Sequence, residues 1–192
     1  MTISEDLEAL ELFNSKAEIL RNSNFVQFLR EQDSGISISW KKGEPTRTET
    51  RWPDAEAIRA FILTFRFFYQ DNERCSIRNV ARIYDALPIS QGKKDLFSNS
   101  RSNLNRFLDA ESPVRIDGET ITCRGILEMF MYGELAHVSR KKKELLGQWM
   151  SYPLVDDVVR NEFIHILGAV TGFIEHVRNL NKEVIKELSE KK

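Results

Sequence analysis

"VRNEFIHILGAVTGFIEHVRNLNKEV", residues 159–184, decides the fold. Val159, Phe163, Ile166, Val170, Phe173, Val177, Leu180 and Val184 step by 4, 3, 4, 3, 4, 3 and 4 residues. An apolar seam at that spacing is one face of an α-helix, held for nearly four heptads. A second flank, Ile164, Leu167 and Ile174, is also apolar. The helix is therefore predicted to be buried on a broad face and not only along a coiled-coil seam. It is placed at 154–188, with the closing residues KELSEKK fraying into solvent. Gly168 and Gly172 sit inside it, four apart, and each costs about 1 kcal/mol against alanine in a helix. They strip one face of side chains, either for helix packing or for a dimer contact or pocket floor flanked by His165 and His176.

Upstream, the same 3.6-residue period recurs. Leu7, Leu10, Phe13, Ala17 and Leu20 predict a helix over 4–21, with Ser4 as its cap. "NFVQFLREQ" is a shorter helical piece. Pro53 opens another helix, with Ile58, Phe61, Ile62, Phe65, Phe68 and Tyr69 as its stripe. Ser76 caps a short helix that ends near Pro88. "QGKKDLFSNSRSNLNRFLD" follows, with Leu96, Phe97, Leu104, Phe107 and Leu108 inward. Thr122 caps "RGILEMFMYGELAH", and "RKKKELLGQWMSY" is one more short helix. The period drops to two in only two places. One hairpin is predicted near 36–52, where Ile36, Ile38 and Trp40 alternate before "KKGEP" and Thr46, Thr48, Thr50 and Trp52 after it. The other lies near 114–122, with Asp117-Gly118 as the turn. The expectation is one mainly α domain over 1–192: a helical bundle with two small β-hairpins and a long C-terminal helix.

The bulk numbers narrow the function classes. The chain has 192 residues and a net charge of −1, so no whole-protein field gathers nucleic acid or anionic lipid, and such a role needs a local patch. Cys75 and Cys123 sit in no CxxC or Cys/His pattern, which predicts reduced thiols and no metal site. No apolar run reaches the ~20 residues of a membrane span, and the acidic N-terminal stretch is unlike a signal peptide. A cytoplasmic protein without membrane partners is expected. No glycine-rich phosphate loop and no HExxH spacing is present, so neither a cofactor nor a metal is expected.

Within the long helix, "RNEFIH" at 160–165 has the residues of metal-independent RNA cleavage. A histidine near its ordinary pKa can act as general acid or base. An arginine can hold the phosphate, and Asn161 can orient either. Together with the helical architecture, the motif resembles the HEPN superfamily, whose members carry Arg, a polar residue, then His on a late helix. The resemblance implies a metal-independent ribonuclease acting as a homodimer, or a non-catalytic adaptor, with Arg160, Asn161 and His165 as the site. In a continuous helix, residues five apart lie about 140° from each other. Arg160 and His165 then share a site across a dimer or a bend. Otherwise Arg160 pairs with Asp156, and His165 is a surface histidine near Glu162. "YGELAHVSRKKKE", 132–144, ends like such a motif but has Gly133-Glu134 where Arg-Asn would stand.

A second reading rests on 72–122, where a short helix, a turn, a polar helix and a hairpin follow in winged-helix order. From Arg74 to Arg106 the seven basic residues 74, 78, 82, 93, 94, 101 and 106 face only Asp85 and Asp95, a local charge of +5. Lys93, Lys94, Arg101 and Asn105 are the candidates for contacting RNA or DNA. A third reading is a non-enzymatic interaction module that dimerises through the long seam.

Overall fold

The computed structural model describes residues 2–31, 53, 55–69, 74–116, 118–132 and 157–191. In chain order these form α1 (Ile3–Arg21), α2 (Asn24–Glu31), α3 (Ala55–Tyr69), α4 (Ile77–Ala86), α5 (Gln91–Leu108), β1 (Glu111–Ile116), β2 (Glu119–Thr122), α6 (Cys123–Tyr132) and α7 (Asp157–Ser189). The protein is mainly α, and its axis is the 33-residue α7. The predicted hairpin at 36–52, the second motif at 133–144 and the helix around 140–152 lie outside the described residues, as do residues 154–156 of the predicted final helix.

The seam behaves as its spacing requires. Phe163, Ile166, Val170, Phe173, Val177 and Val184 are all 0% exposed, and the flank of Ile164, Leu167 and Ile174 is buried beside them. Helices α1, α5 and α6 and strand β1 all pack on α7. Leu188 is buried too, and Lys93 pairs with Glu187. The helix therefore stays regular to Ser189 instead of fraying from Lys186.

Several polar groups that reach this core are paired. Tyr84 donates its hydroxyl to Asn181 Oδ1 at 2.7 Å, and Asn181 Nδ2 donates to Asn14 Oδ1 at 3.1 Å. Burial pushes the Tyr84 phenol far up, with the nearby Glu183 adding to the shift. Arg178, buried in α7, bonds both Glu175 and Glu18. Glu162 is also buried; Cys123 Sγ donates to its Oε1 at 3.2 Å. Cys75 and Cys123 are both buried thiols.

Local signals set the remaining elements. Thr2, not Ser4, caps α1: the Thr2 hydroxyl accepts from Glu5 N–H, and the Glu5 carboxylate accepts from Thr2 N–H at 2.7 Å. This reciprocal box satisfies two orphan donors, whereas Ser4 lies inside the first turn. Ser76 caps α4 through the Asn79 N–H, and Thr122 accepts from the Gly125 N–H at the start of α6. The aromatic stripe of α3 meets α1 and α2, with Phe68 on Phe13 at 4.5 Å and Phe61 on Phe25 at 4.9 Å. On α5, Phe97, Leu104, Phe107 and Leu108 are buried, but Leu96 is 52% exposed. Phe107, eleven residues on and only about 20° round the helix from Leu96, is buried, so the exposure of Leu96 reflects what packs against each end of α5 and not its helical position. β1 pairs antiparallel with β2, and Gly118 takes φ +84° in the turn, a conformation open to glycine at no steric cost. The hairpin begins three residues before the predicted 114. No helix among the described residues is long and apolar enough to cross a membrane.

The Phe163 ring stacks on Phe130 at 3.8 Å between α7 and α6. Phe163→Ala is expected to lower unfolding free energy by about 3–5 kcal/mol, the range for truncating a buried aromatic. Urea denaturation checks this, and a loss under about 1 kcal/mol would contradict the placement.

Candidate functional site

The "RNEFIH" side chains are placed first by their helix. α7 runs unbroken through 160–165, so the rotation of about 140° between Arg160 and His165 is retained. His165 is half-buried, with its ring edge-on to Phe107 at 5.1 Å. It is thus packed onto α5 and is not a surface histidine beside Glu162, which is itself buried. Asp156, the expected partner of Arg160, lies outside the described residues. Gly168 and Gly172 do line a cavity, of about 430 Å³, together with Thr171, Ala17, Leu20, Val26 and other residues of α1, α2 and α7. Neither His165 nor His176 borders it. His176 instead meets the Ser100 hydroxyl at 2.9 Å through Nε2, and burial lowers its pKa.

The four candidates on α5 separate into two pairs. Lys93 is committed to Glu187, and Lys94 donates to the Asp85 carbonyl at 3.1 Å. Arg101 and Asn105, four apart on one face, line a second cavity of about 220 Å³. Its other walls are Tyr69 from α3, Ile77 and Arg78 from α4, Leu104 from α5, Arg124 from α6 and Phe173 from α7. Five helices converge here, and three of them each bring an arginine. No carboxylate is among the lining residues.

Several arginines elsewhere are paired: Arg74 with Glu8, Arg82 with Asp6, Arg178 with Glu18 and Glu175. Arg101, half-buried, has no hydrogen bond or ion pair with any described residue. Arg124 is held in place by two bonds, Nε to Asp109 Oδ1 at 2.8 Å and an Nη to Asn105 Oδ1 at 3.4 Å. A guanidinium has five N–H donors, so most of its fork stays available. The Tyr69 ring is stacked on Phe65 at 4.2 Å. Its hydroxyl is sealed from solvent and finds no hydrogen-bond partner among the described residues. Burial raises the pKa of this phenol against the opposing pull of Arg124 and Arg101, so it stays protonated and keeps a proton to donate. Convergent donors against the apolar wall of Ile77, Leu104 and Phe173 suit an anion, because charge is poorly screened there.

Sequence reasoning reached Arg101 and Asn105 but missed Tyr69 and Arg124. One signal was present. Arg78 and Arg124 each stand in the first turn of a helix, α4 and α6, and neither turn contains an acidic residue. A cation there opposes the helix dipole, which favours anions at its N-terminal end. Among the described residues no group of three or more His, Cys, Asp or Glu side chains is placed to hold a metal. Comparison with known proteins gives no match to a protein-family model, a curated protein or a solved structure.

If the Tyr69 hydroxyl is unsatisfied without a ligand, Tyr69→Phe is expected to leave the ligand-free protein as stable, or up to about 1 kcal/mol more stable. Tyr84→Phe, which removes a formed hydrogen bond, is expected to lose about 1 kcal/mol in the same urea titration. An equal loss in both variants would contradict this reading of Tyr69.

Proposed function

We propose that the protein binds nucleic acid through its phosphates, at the cavity between α3, α4, α5, α6 and α7. The observation that carries this is Arg101, a half-buried guanidinium with no partner among the described residues, set beside Arg78 and Arg124 in a cavity without a lining carboxylate. A polar row leads to it along α5. Lys94, Ser98, Arg101 and Asn105 step by 4, 3 and 4, so they share one face over about 16 Å. Phosphate oxygens are the natural acceptors for such donors, and arginine holds them in a bidentate fork.

The reading differs from a winged helix on a duplex. α5 turns Phe97, Leu104, Phe107 and Leu108 onto the core, and the hairpin carries Glu111 and Glu119 against Arg115. A wing of that charge gives no attraction to a phosphate backbone. A single strand laid along the α5 row into the cavity suits the arrangement better. The reading is also one of binding rather than cleavage. Arg160 and His165 diverge on α7 and line neither cavity, so acid–base chemistry at that motif requires a second copy of the chain.

Fluorescence anisotropy with a labelled single-stranded oligonucleotide tests this. Arg101→Ala is expected to weaken binding about tenfold or more, the value of one charge-assisted contact. It is also expected to reduce the slope of log affinity against log salt by about 0.7, as for one lost phosphate contact on a single strand. Salt-independent or absent binding by the wild type would overturn the proposal.

A further inference from the structure

We propose that the cavity accepts the terminal phosphate monoester of a nucleic-acid strand in preference to an internal phosphodiester. This rests on the nucleic-acid reading above and goes one step further, to the chemical form of the phosphate.

Charge is the first argument. A phosphodiester carries one negative charge, whereas a monoester carries close to two at neutral pH and offers three terminal oxygens. The lining supplies three guanidiniums and no carboxylate. Two of these arginines, Arg78 and Arg124, stand in the first turns of α4 and α6, where the helix dipoles add further positive potential. Asp109, paired with Arg124 from outside the lining, offsets one of the three charges, and the two that remain are matched by a dianion.

Shape is the second argument. The buried side chains of Ile77, Leu104 and Phe173 form an apolar part of the cavity lining. An internal phosphodiester has a sugar on both sides, so the chain must enter and leave. A terminal group has a sugar on one side only and can end against a wall. The third argument is the Tyr69 hydroxyl, sealed from solvent and without an acceptor among the described residues. The extra terminal oxygen of a monoester supplies that acceptor when it displaces the side-chain atoms that cover the hydroxyl in the ligand-free protein. Since burial holds the Tyr69 pKa up, the hydroxyl remains a donor at neutral pH. Arg124, steadied by Asp109 and Asn105, and Arg101, which reaches in from α5, grip the other two oxygens.

The test uses one oligonucleotide sequence in three forms: 5′-phosphate, 3′-phosphate and hydroxyl at both ends. Dissociation constants are measured for the wild type, Arg101→Ala and Tyr69→Phe, with circular dichroism and thermal melting to verify that the variants fold. Inorganic phosphate serves as competitor. The wild type is expected to bind one of the phosphorylated strands about tenfold or more tightly than the hydroxyl form, and that preference identifies the end. Inorganic phosphate is expected to compete it away. Arg101→Ala is expected to abolish the preference and Tyr69→Phe to narrow it. Equal affinity for all three strands, weakened alike by Arg101→Ala, overturns the terminal-phosphate inference and leaves nucleic-acid binding standing. Binding of inorganic phosphate but of no strand overturns both.

Discussion

A helix that is apolar on most of its circumference has to be enclosed, and the burial of α7 is the constraint from which the other placements follow. Its seam and flank offer large side chains on neighbouring faces, so one partner helix cannot cover them. α1, α5, α6 and β1 each take a share. Enclosure also imposes a polar condition, because any group drawn inside must keep a hydrogen bond. Asn181 meets it through Tyr84 and Asn14, Arg178 through Glu18 and Glu175, and Glu162 through the Cys123 thiol.

The candidate site is a by-product of the same enclosure. Arg78, Arg101 and Arg124 are distant in sequence and belong to three helices, yet packing around Phe173 brings them to one cavity. Like charges gathered in this way repel, and two of the three work against a helix dipole. Tyr69 adds a buried hydroxyl without an acceptor among the described residues. The Arg101 guanidinium and the Tyr69 hydroxyl have no hydrogen-bond partner among the described residues, and this is what supports reading the cavity as a place for a ligand. The proposed binding rests on local electrostatics and not on the net charge of −1.

The architecture was legible where periodicity was strong. The 4-3-4 seam announced α7, the stripe of α3 was read in full, and Gly168 and Gly172 were identified as a possible pocket floor. The errors came from short-range competition. Thr2 and Ser4 are both good caps, and only the reciprocal Thr2–Glu5 box separates them. Leu96 and Phe97 are adjacent apolar residues, and the packing buries Phe97 while leaving Leu96 exposed. The site was legible in part, through Arg101 and Asn105 on a single helix. Lys93 looked equivalent to Arg101 in sequence, but tertiary packing committed it to the Glu187 carboxylate, whereas Lys94 meets only the Asp85 carbonyl. Tyr69 and Arg124 were hidden because their approach to Arg101 depends on how α3 and α6 pack, which no local pattern encodes. The motif at 160–165 showed the converse. Its residue types suit chemistry, but an unbroken helix turns them apart.

The central claim is that the cavity of Arg101, Arg124 and Tyr69 is an anion site. Linkage tests it most directly, since a ligand that binds only the folded state raises stability by RT ln(1 + [L]/Kd). Urea unfolding is measured in phosphate and in chloride at matched ionic strength, for the wild type and for Arg101→Ala. Phosphate strengthens burial in any protein, so the variant defines that general contribution. The account predicts that the phosphate-induced gain is larger in the wild type than in Arg101→Ala. Equal gains in the two proteins would contradict it.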